Sequence, residues 1–253
     1  MLIEQFLCKT DNIAVLLHDE ANKKTIAIDA PDGAAILAKL DQMNWKLDMV
    51  LITHHHADHT EGIYTLKEKT GAIIIGSESE KAKIPGLDHS VNDGDIVDTD
   101  FGRIETLATP GHTLGAISYY MPQARLVFTG DTLFSLGCGR LFEGTVPMMF
   151  SSLQKLGNLS DDTQIYCGHE YTESNGYFAL TVDPSNQALQ RRMTDVAMLR
   201  RQDRLTLPST IALEHATNPF LRWADPIIRE NLGLVDVSDE AVLAELRKRK
   251  DNF

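Results

Sequence analysis

A chain of 253 residues with 36 acidic against 24 basic side chains carries a formal charge of −12. That acidity repels phosphate backbones, which argues against nucleic acid as a partner unless a local basic patch offsets it, and means a small anionic substrate needs a local cluster of Lys or Arg. The 43% hydrophobic content suits a soluble domain with a sizeable core, and no apolar run approaches the roughly 18 residues of a membrane span. Three scattered cysteines, Cys8, Cys138 and Cys167, make neither a CxxC pair nor an even framework. With no leader-like N-terminus in "MLIEQFLCKTDN", the expectation is a reducing, cytoplasmic setting.

In chain order, "NIAVLLHDE" and "KTIAIDA" read as strands joined by a turn, and "DGAAILAKLDQMN" has helical spacing at Ile36, Leu37 and Leu40. "DMVLIT" is a short buried strand, and "TEGIYTLKEKTG" a helix closed by Gly71. "AIIIG", "GRIETLAT", "AISYYM", "RLVFTGD" and "TQIYCGHE" are further strands, and "VPMMFSSLQKLGNL" is a helix. After about residue 173 the composition turns helical. "PSNQALQRRMTDVAMLRRQDR" is expected to open at Pro184-Ser185, followed by "STIALEHATN" and by "SDEAVLAELRKRK" with Ser238 at its start. The expected organisation is an α/β domain over residues 1–170 and a helical domain over 171–253.

The chemistry concentrates first in "LITHHHADHT", which holds four of the nine histidines. In extended backbone His54 and His56 face one way and His55 the other, while Asp58 and His59 follow at the start of a helix. An expression tag is excluded by the internal position and by Asp58. Nitrogen and carboxylate donors suit zinc, iron or manganese better than calcium or magnesium.

"LATPGHTLG", "LVFTGDTLF" and "IYCGHEYT" repeat one design: a strand, a glycine, then His112, Asp131 or His169. Singly, each is an ordinary loop residue; three repeats argue against coincidence. Seven donors exceed one tetrahedral ion. Two ions sharing Asp131 fit, since a carboxylate has two oxygens. One partition sets His54, His56 and His112 around the first ion and Asp58, His59 and His169 around the second. Such ions acidify a bound water and polarise a carbonyl, which points to hydrolysis of an acyl compound, a phosphoester or a lactam.

"THHHADH", "TPGHT", "TGD" and "CGHEYT" together resemble the metallo-β-lactamase superfamily, which implies an αββα sandwich with metals at one edge. "GDTLFSLGCGRLFEG", "GHEYTESNGYFA" and "LRKRKDNF" narrow the resemblance to the glyoxalase II (hydroxyacylglutathione hydrolase) family nearly end to end. That resemblance implies a helical C-terminal domain and hydrolysis of S-D-lactoylglutathione to D-lactate and glutathione. It also implies that the metals are drawn from zinc, iron and manganese, so the two ions are expected to be zinc first; a monomer with no nucleic-acid or membrane partner is expected. Asp58 and Asp131 carry catalytic expectations, Asp58 by orienting the water. By resemblance the glutathione moiety meets Arg140, Phe142, Tyr171, Arg247 and Lys250. Arg247 and Lys250, three apart on one helix, share a face and supply the positive patch an acidic protein needs. Phe142 departs from the tyrosine common in the family. The rival on the same fold is a mononuclear-iron glutathione persulfide dioxygenase. His55, His18, His89 and His215 carry no ligand expectation, and neither Cys138 nor Cys167 a catalytic one.

Overall fold

The computed structural model describes residues 1–100 and 102–253. The first sheet runs in the order β1 (Leu2–Cys8), β2 (Asn12–Asp19), β3 (Lys24–Ile28), β4 (Met49–Leu51), β5 (Ile73–Ser77) and β6 (His89–Val91). Its first three strands pair antiparallel; from β3 onward the pairing is parallel. Parallel neighbours need crossovers, and α1 (Gly33–Met43) and α3 (Ile63–Thr70) provide them, with the single turn α2 (Ala57–Thr60) between β4 and α3.

β2 shows how the layers arise. Ile13, Val15 and Leu17 enter one cluster with Ile104, Tyr119 and Phe128 of the second sheet. Ala14 and Leu16 enter another with Ile36 and Leu40 of α1 and Ile63 and Leu66 of α3. Successive side chains point to opposite faces, so a strand apolar at every position from 13 to 17 must be covered on both. Burying each such side chain contributes about 1.5–3 kcal/mol.

The second sheet contains β7 (Ile96–Thr99), β8 (Gly102–Ala108), β9 (Ile117–Met121) and β10 (Leu126–Gly130), antiparallel in sequence. The hairpin β11 (Leu133–Phe134) and β12 (Gly137–Cys138) follows, then α4 (Val146–Gly157), which crosses to β13 (Gln164–Cys167) parallel to β10. Then come α5 (Thr172–Val182), α6 (Gln187–Arg201), the strand β14 (Ser209–Thr210), α7 (Ile211–Thr217), α8 (Pro226–Leu232) and α9 (Asp239–Asp251). The outer face of the second sheet, through Val127 and Ile165, shares one core with Met149 and Leu153 of α4, Phe178 of α5, Ile228 of α8 and Leu243 and Leu246 of α9. The layers are therefore helix, sheet, sheet, helix, as the α/β sandwich expectation has it.

Two local expectations are corrected. α6 opens at Asn186, not at Pro184-Ser185, because the Asn186 side chain accepts from Ala188 N and Leu189 N and caps two free amides. "STIALEHATN" is helical only from Ile211: Ser209 and Thr210 pair with Ile165 and Gln164 of β13, and the Thr210 hydroxyl caps α7. β1, α5 and α8 were absent from the sequence reading. Gly71, as expected, closes α3 with φ of 72°, and Ser238 caps α9. Among the described residues no helix is long and apolar enough to cross a membrane.

Candidate metal centre

All seven proposed donors meet where strands of the two sheets end. The arrangement starts at Asp29, just beyond β3. Asp29 Oδ1 accepts from Thr53 N at 2.7 Å, and Oδ2 accepts from Thr53 Oγ1 at 2.9 Å. The same Oδ2 lies 2.8 Å from His59 Nδ1. One buried carboxylate thus fixes both ends of the histidine run. The Thr53 hydroxyl proton is committed to Asp29, so Thr53 Oγ1 accepts from His54 Nδ1 at 3.1 Å. That assignment leaves His54 Nε2 a bare lone pair.

Two of the donor groups face each other across Asp131: His54, His56 and His112 make the first, and Asp58, His59 and His169 the second; His54, His59 and Asp131 form a group that joins them, and His55, His56 and Glu143 one to the side. His56 Nδ1 and His112 Nε2 are 3.0 Å apart, and His59 Nε2 and His169 Nε2 are 3.3 Å apart. Asp58 Oδ2 is 3.5 Å from His59 Nε2 and 3.3 Å from His169 Nε2. Asp131 stands between the groups: Oδ1 is 3.4 Å from His59 Nε2, while Oδ2 is 3.5 Å from His112 Nε2 and 3.3 Å from His169 Nε2.

Partners behind the rings set their orientation. His112 Nδ1 donates to the Arg140 carbonyl at 2.9 Å, and His169 Nδ1 to Asp11 Oδ1 at 2.9 Å. Asn12 Nδ2 donates to Asp58 Oδ2 at 3.1 Å. Asp29, Asp11 and Asn12 were missed by the sequence reading. A strand-end Asp29 and the "TDN" turn were visible signals, but nothing local tied them to remote histidines.

The donor set fits divalent metal. His54 Nε2 and Asp131 Oδ1 are buried without a hydrogen-bond partner, a costly state unless a cation occupies the space between the groups. A side chain at residue 168 would collide with that space: a Cβ on Gly168 would lie 2.4 Å from Asp131 Oδ1 and 2.7 Å from His59 Cε1. The electrostatics agree. Burial, with His59 nearby, holds His54 well below the ordinary histidine range. Burial opposes charge on His59 and His169 too, yet Asp131 outweighs it, raising His59 well above its usual range and His169 to about 10. Against its own burial, Asp131 is held well below the carboxylate range by His59 and His169. The site is built around anionic Asp131 and collects positive charge to match.

Above these groups opens a cavity of about 430 Å³. Arg140, Phe142, Tyr171, Arg247 and Lys250 all line it, joined by Cys138, for which sequence gave no catalytic expectation, and by Ser174 and Phe253, which sequence did not single out. Phe142 is 64% exposed and stands edge-on to His56 and His112, at 5.8 and 5.2 Å between ring centres. Tyr171 stacks on His169 at 4.7 Å, its hydroxyl 3.4 Å from Asp11 Oδ1. Lys250 Nζ donates to the Ser174 carbonyl at 3.2 Å and sits 5.2 Å from the Phe253 ring centre. Arg247 is buried and already engaged. Its Nη1 donates to the Cys138 carbonyl at 2.7 Å, and its Nε and Nη2 reach Asp251 Oδ1 at 3.0 and 2.9 Å. Cys138 is pushed up to about 11 by burial and Cys167 to about 12, so both thiols stay protonated. His18 pairs with Thr25 and His215 with the Gly157 carbonyl, both away from the cavity.

Comparison with known proteins follows this geometry. Residues 20–169 match the model of the metallo-beta-lactamase superfamily, and residues 170–253 that of the hydroxyacylglutathione hydrolase C-terminus. A hydroxyacylglutathione hydrolase of Brucella anthropi is 60% identical over 99% of this chain and 96% of its own, and one of Brucella ovis is 59% identical over 99% and 98%. Among solved structures, ETHE1 from Myxococcus xanthus superposes with a TM-score of 0.68 at 25% identity, over 99% of this chain and 98% of that one. The BLEG-1 B3 metallo-beta-lactamase, at 20% identity and a TM-score of 0.67 over 87% of this chain and 100% of that one, shares the fold. The chain belongs to the hydroxyacylglutathione hydrolase (glyoxalase II) family of the metallo-β-lactamase superfamily.

Proposed function

We propose that this chain hydrolyses S-D-lactoylglutathione and related 2-hydroxyacylglutathiones to the free 2-hydroxy acid and glutathione, the second step of methylglyoxal detoxification. The single observation that carries the reading is the cavity that joins two histidine–carboxylate groups meeting at Asp131 to a rim carrying Arg140 and Lys250. His54, His56 and His112 would hold one divalent ion and Asp58, His59 and His169 a second, with Asp131 available to both; zinc is the first choice, iron or manganese the others. Bound there, such ions supply a water acidified towards neutrality and electrostatic stabilisation of the developing oxyanion.

The protein's own groups do the rest. The Asp58 side chain, 41% exposed against 9% for Asp131, opens onto the cavity floor and orients the attacking water. The leaving thiolate has a conjugate acid near pKa 8.5, so it departs without a dedicated general acid. Residues 1–170 carry the chemistry, and 171–253 share the substrate side with the loop that bears Arg140 and Phe142. Lys250 and Arg140 attract the glutathione carboxylates, Arg247 braces the Cys138 carbonyl beneath them, and Phe142 and Tyr171 flank the peptide part of the glutathione moiety. The enzyme works as a cytoplasmic monomer.

The test is lactoylglutathione hydrolysis measured alongside metal analysis of the same preparation. Turnover with about two ions per chain supports the reading. Oxygen consumption with glutathione persulfide and one iron per chain would replace it with the dioxygenase.

A further inference from the structure

His55 lies outside both groups that meet at Asp131, yet its ring is tightly placed. Nδ1 is 3.1 Å from Glu80 Oε2 and Nε2 is 3.2 Å from Glu143 Oε1, with only 14% of the side chain exposed. The two carboxylates belong to different segments. Glu80 follows β5 and accepts from His55 N at 2.8 Å, Thr113 Oγ1 at 2.5 Å and Gly115 N at 3.0 Å. Glu143 lies in "GRLFEG" and accepts from Leu114 N at 3.2 Å and Lys83 Nζ at 3.2 Å. His55 therefore links the histidine run to the loop that bears Arg140 and Phe142.

We infer that His55 and Glu143 form a positioning pair that seats the 140–144 loop, and with it Phe142, over the His56 and His112 face of the cavity, which sets affinity for the peptide part of the substrate. The chemistry is directional. Phe142 precedes Glu143 in the chain, is mostly exposed, and touches the site only through ring edges, so nothing in its own packing fixes it. The backbone on either side is tied down: Arg140 O accepts from His112, Glu143 N donates to His112 O at 3.3 Å, and Gly144 N to Gly111 O at 3.2 Å. Those bonds hold the loop to the His112 segment. The Glu143 carboxylate on His55 joins it to the other half of the first group. A loop held on one side only can tilt; one held on both presents Phe142 at a fixed height. His55 touches no reacting atom and acts through the loop.

The inference rests on the cavity being a glutathione thioester site. The experiment compares wild type with His55→Asn, Glu143→Gln and the double variant, each with metal content measured. Expected is a rise in KM for lactoylglutathione of roughly tenfold in each single variant, from loss of the 3.2 Å His55–Glu143 contact, with kcat unchanged. The double variant adds no further rise, because both substitutions break one link. A lactoyl thioester of a small thiol without the peptide is hydrolysed by all four proteins at the same kcat/KM. Loss of metal with falling kcat, an additive double variant, or equal losses on the truncated thioester would each overturn the pair's role. Glu143→Gln keeps the test open should His55→Asn fail to fold. If wild type does not hydrolyse lactoylglutathione, the proposed function falls while the pair is still decided by S-methylglutathione binding to the four proteins; no binding to wild type sinks both.

Discussion

The floor and the rim of the cavity are built by opposite means. On the floor four of the seven donors are fixed from behind by distinct partners: Asp29 for His59, Asp11 for His169, the Arg140 carbonyl for His112, Asn12 for Asp58. On the rim the cationic side chains lean on carbonyls and on one another's counter-ion, with Asp251 3.6 Å from Arg140 and 2.9 Å from Arg247. A floor needs fixed charge geometry because ions tolerate little misplacement. A rim needs affinity for a flexible peptide. Substitutions on the floor should therefore change metal content and turnover together, and those on the rim should change KM alone.

Asp131→Ala puts the largest strain on that contrast. It removes the carboxylate that reaches both groups, so metal and hydrolysis should disappear together, read by metal analysis and thioester assay. Retention of both ions with full turnover would dissolve the distinction.

The next effect is on stability and concerns what holds rim to floor. Glu214 of α7 is fully buried and accepts from Ser135 Oγ at 3.1 Å, Leu136 N at 2.7 Å, Asn218 Nδ2 at 2.9 Å and the Ser209 hydroxyl, which binds the β11–β12 hairpin to the helices. Burial raises its pKa, and those donors offset part of the cost. Glu214→Ala would leave several donors unmet and lower stability by about 2–4 kcal/mol, whereas Glu214→Gln should cost less. Denaturant unfolding checks both; an Ala variant as stable as wild type would mean hairpin and helices are held by apolar contacts alone.

Behind the floor, Asp29→Ala should weaken metal affinity or activity by about 10–100-fold by releasing His59. Metal uptake should also release protons. In the metal-free protein the His169 pKa is raised from an ordinary 6.5 to about 10 and that of His59 well above its usual range, so both are protonated at neutral pH. An ion needs their neutral form, so affinity falls as pH falls and rises towards pH 10. Calorimetry in two buffers of different ionisation enthalpy counts the protons; none released at pH 7.5 would contradict the charge balance around Asp131.

What sequence disclosed follows the same division. The floor donors were legible because "HHHADH" packs four of them within six residues and the others each follow a glycine at a strand end. Asp29 was not, since its task depends on β3 ending beside β4, a contact fixed only by tertiary pairing. β1 escaped notice because Ile3 packs toward one core and Phe6 and Cys8 toward another, which erases the alternation expected of an edge strand. α5 carries Asn175 and Gly176, poor helix formers, for packing reasons: a Cβ on Gly176 would meet Met193 Sδ at 1.9 Å, and Asn175 donates to the Ser135 carbonyl. Of Arg247's two partners, Asp251 lies one helical turn on and was open to sequence, whereas the Cys138 carbonyl that turns the side chain inward lies 109 residues away.

The smallest expected effect lies at Phe142, where rim meets floor. Its ring is exposed along most of its surface and makes only edge contacts with His56 and His112. A hydroxyl at its tip would stay hydrated in the free enzyme, so Phe142→Tyr should leave stability unchanged. On binding, that hydroxyl would exchange water for a substrate acceptor, a net gain of about 1 kcal/mol at most, or about a fivefold lower KM. Turnover should not change, since the hydroxyl would contact the peptide and not the thioester carbonyl. Steady-state kinetics of the variant decide the matter. A change in kcat with KM unmoved would place residue 142 over the reacting carbonyl, and the boundary between floor and rim would then run through its ring.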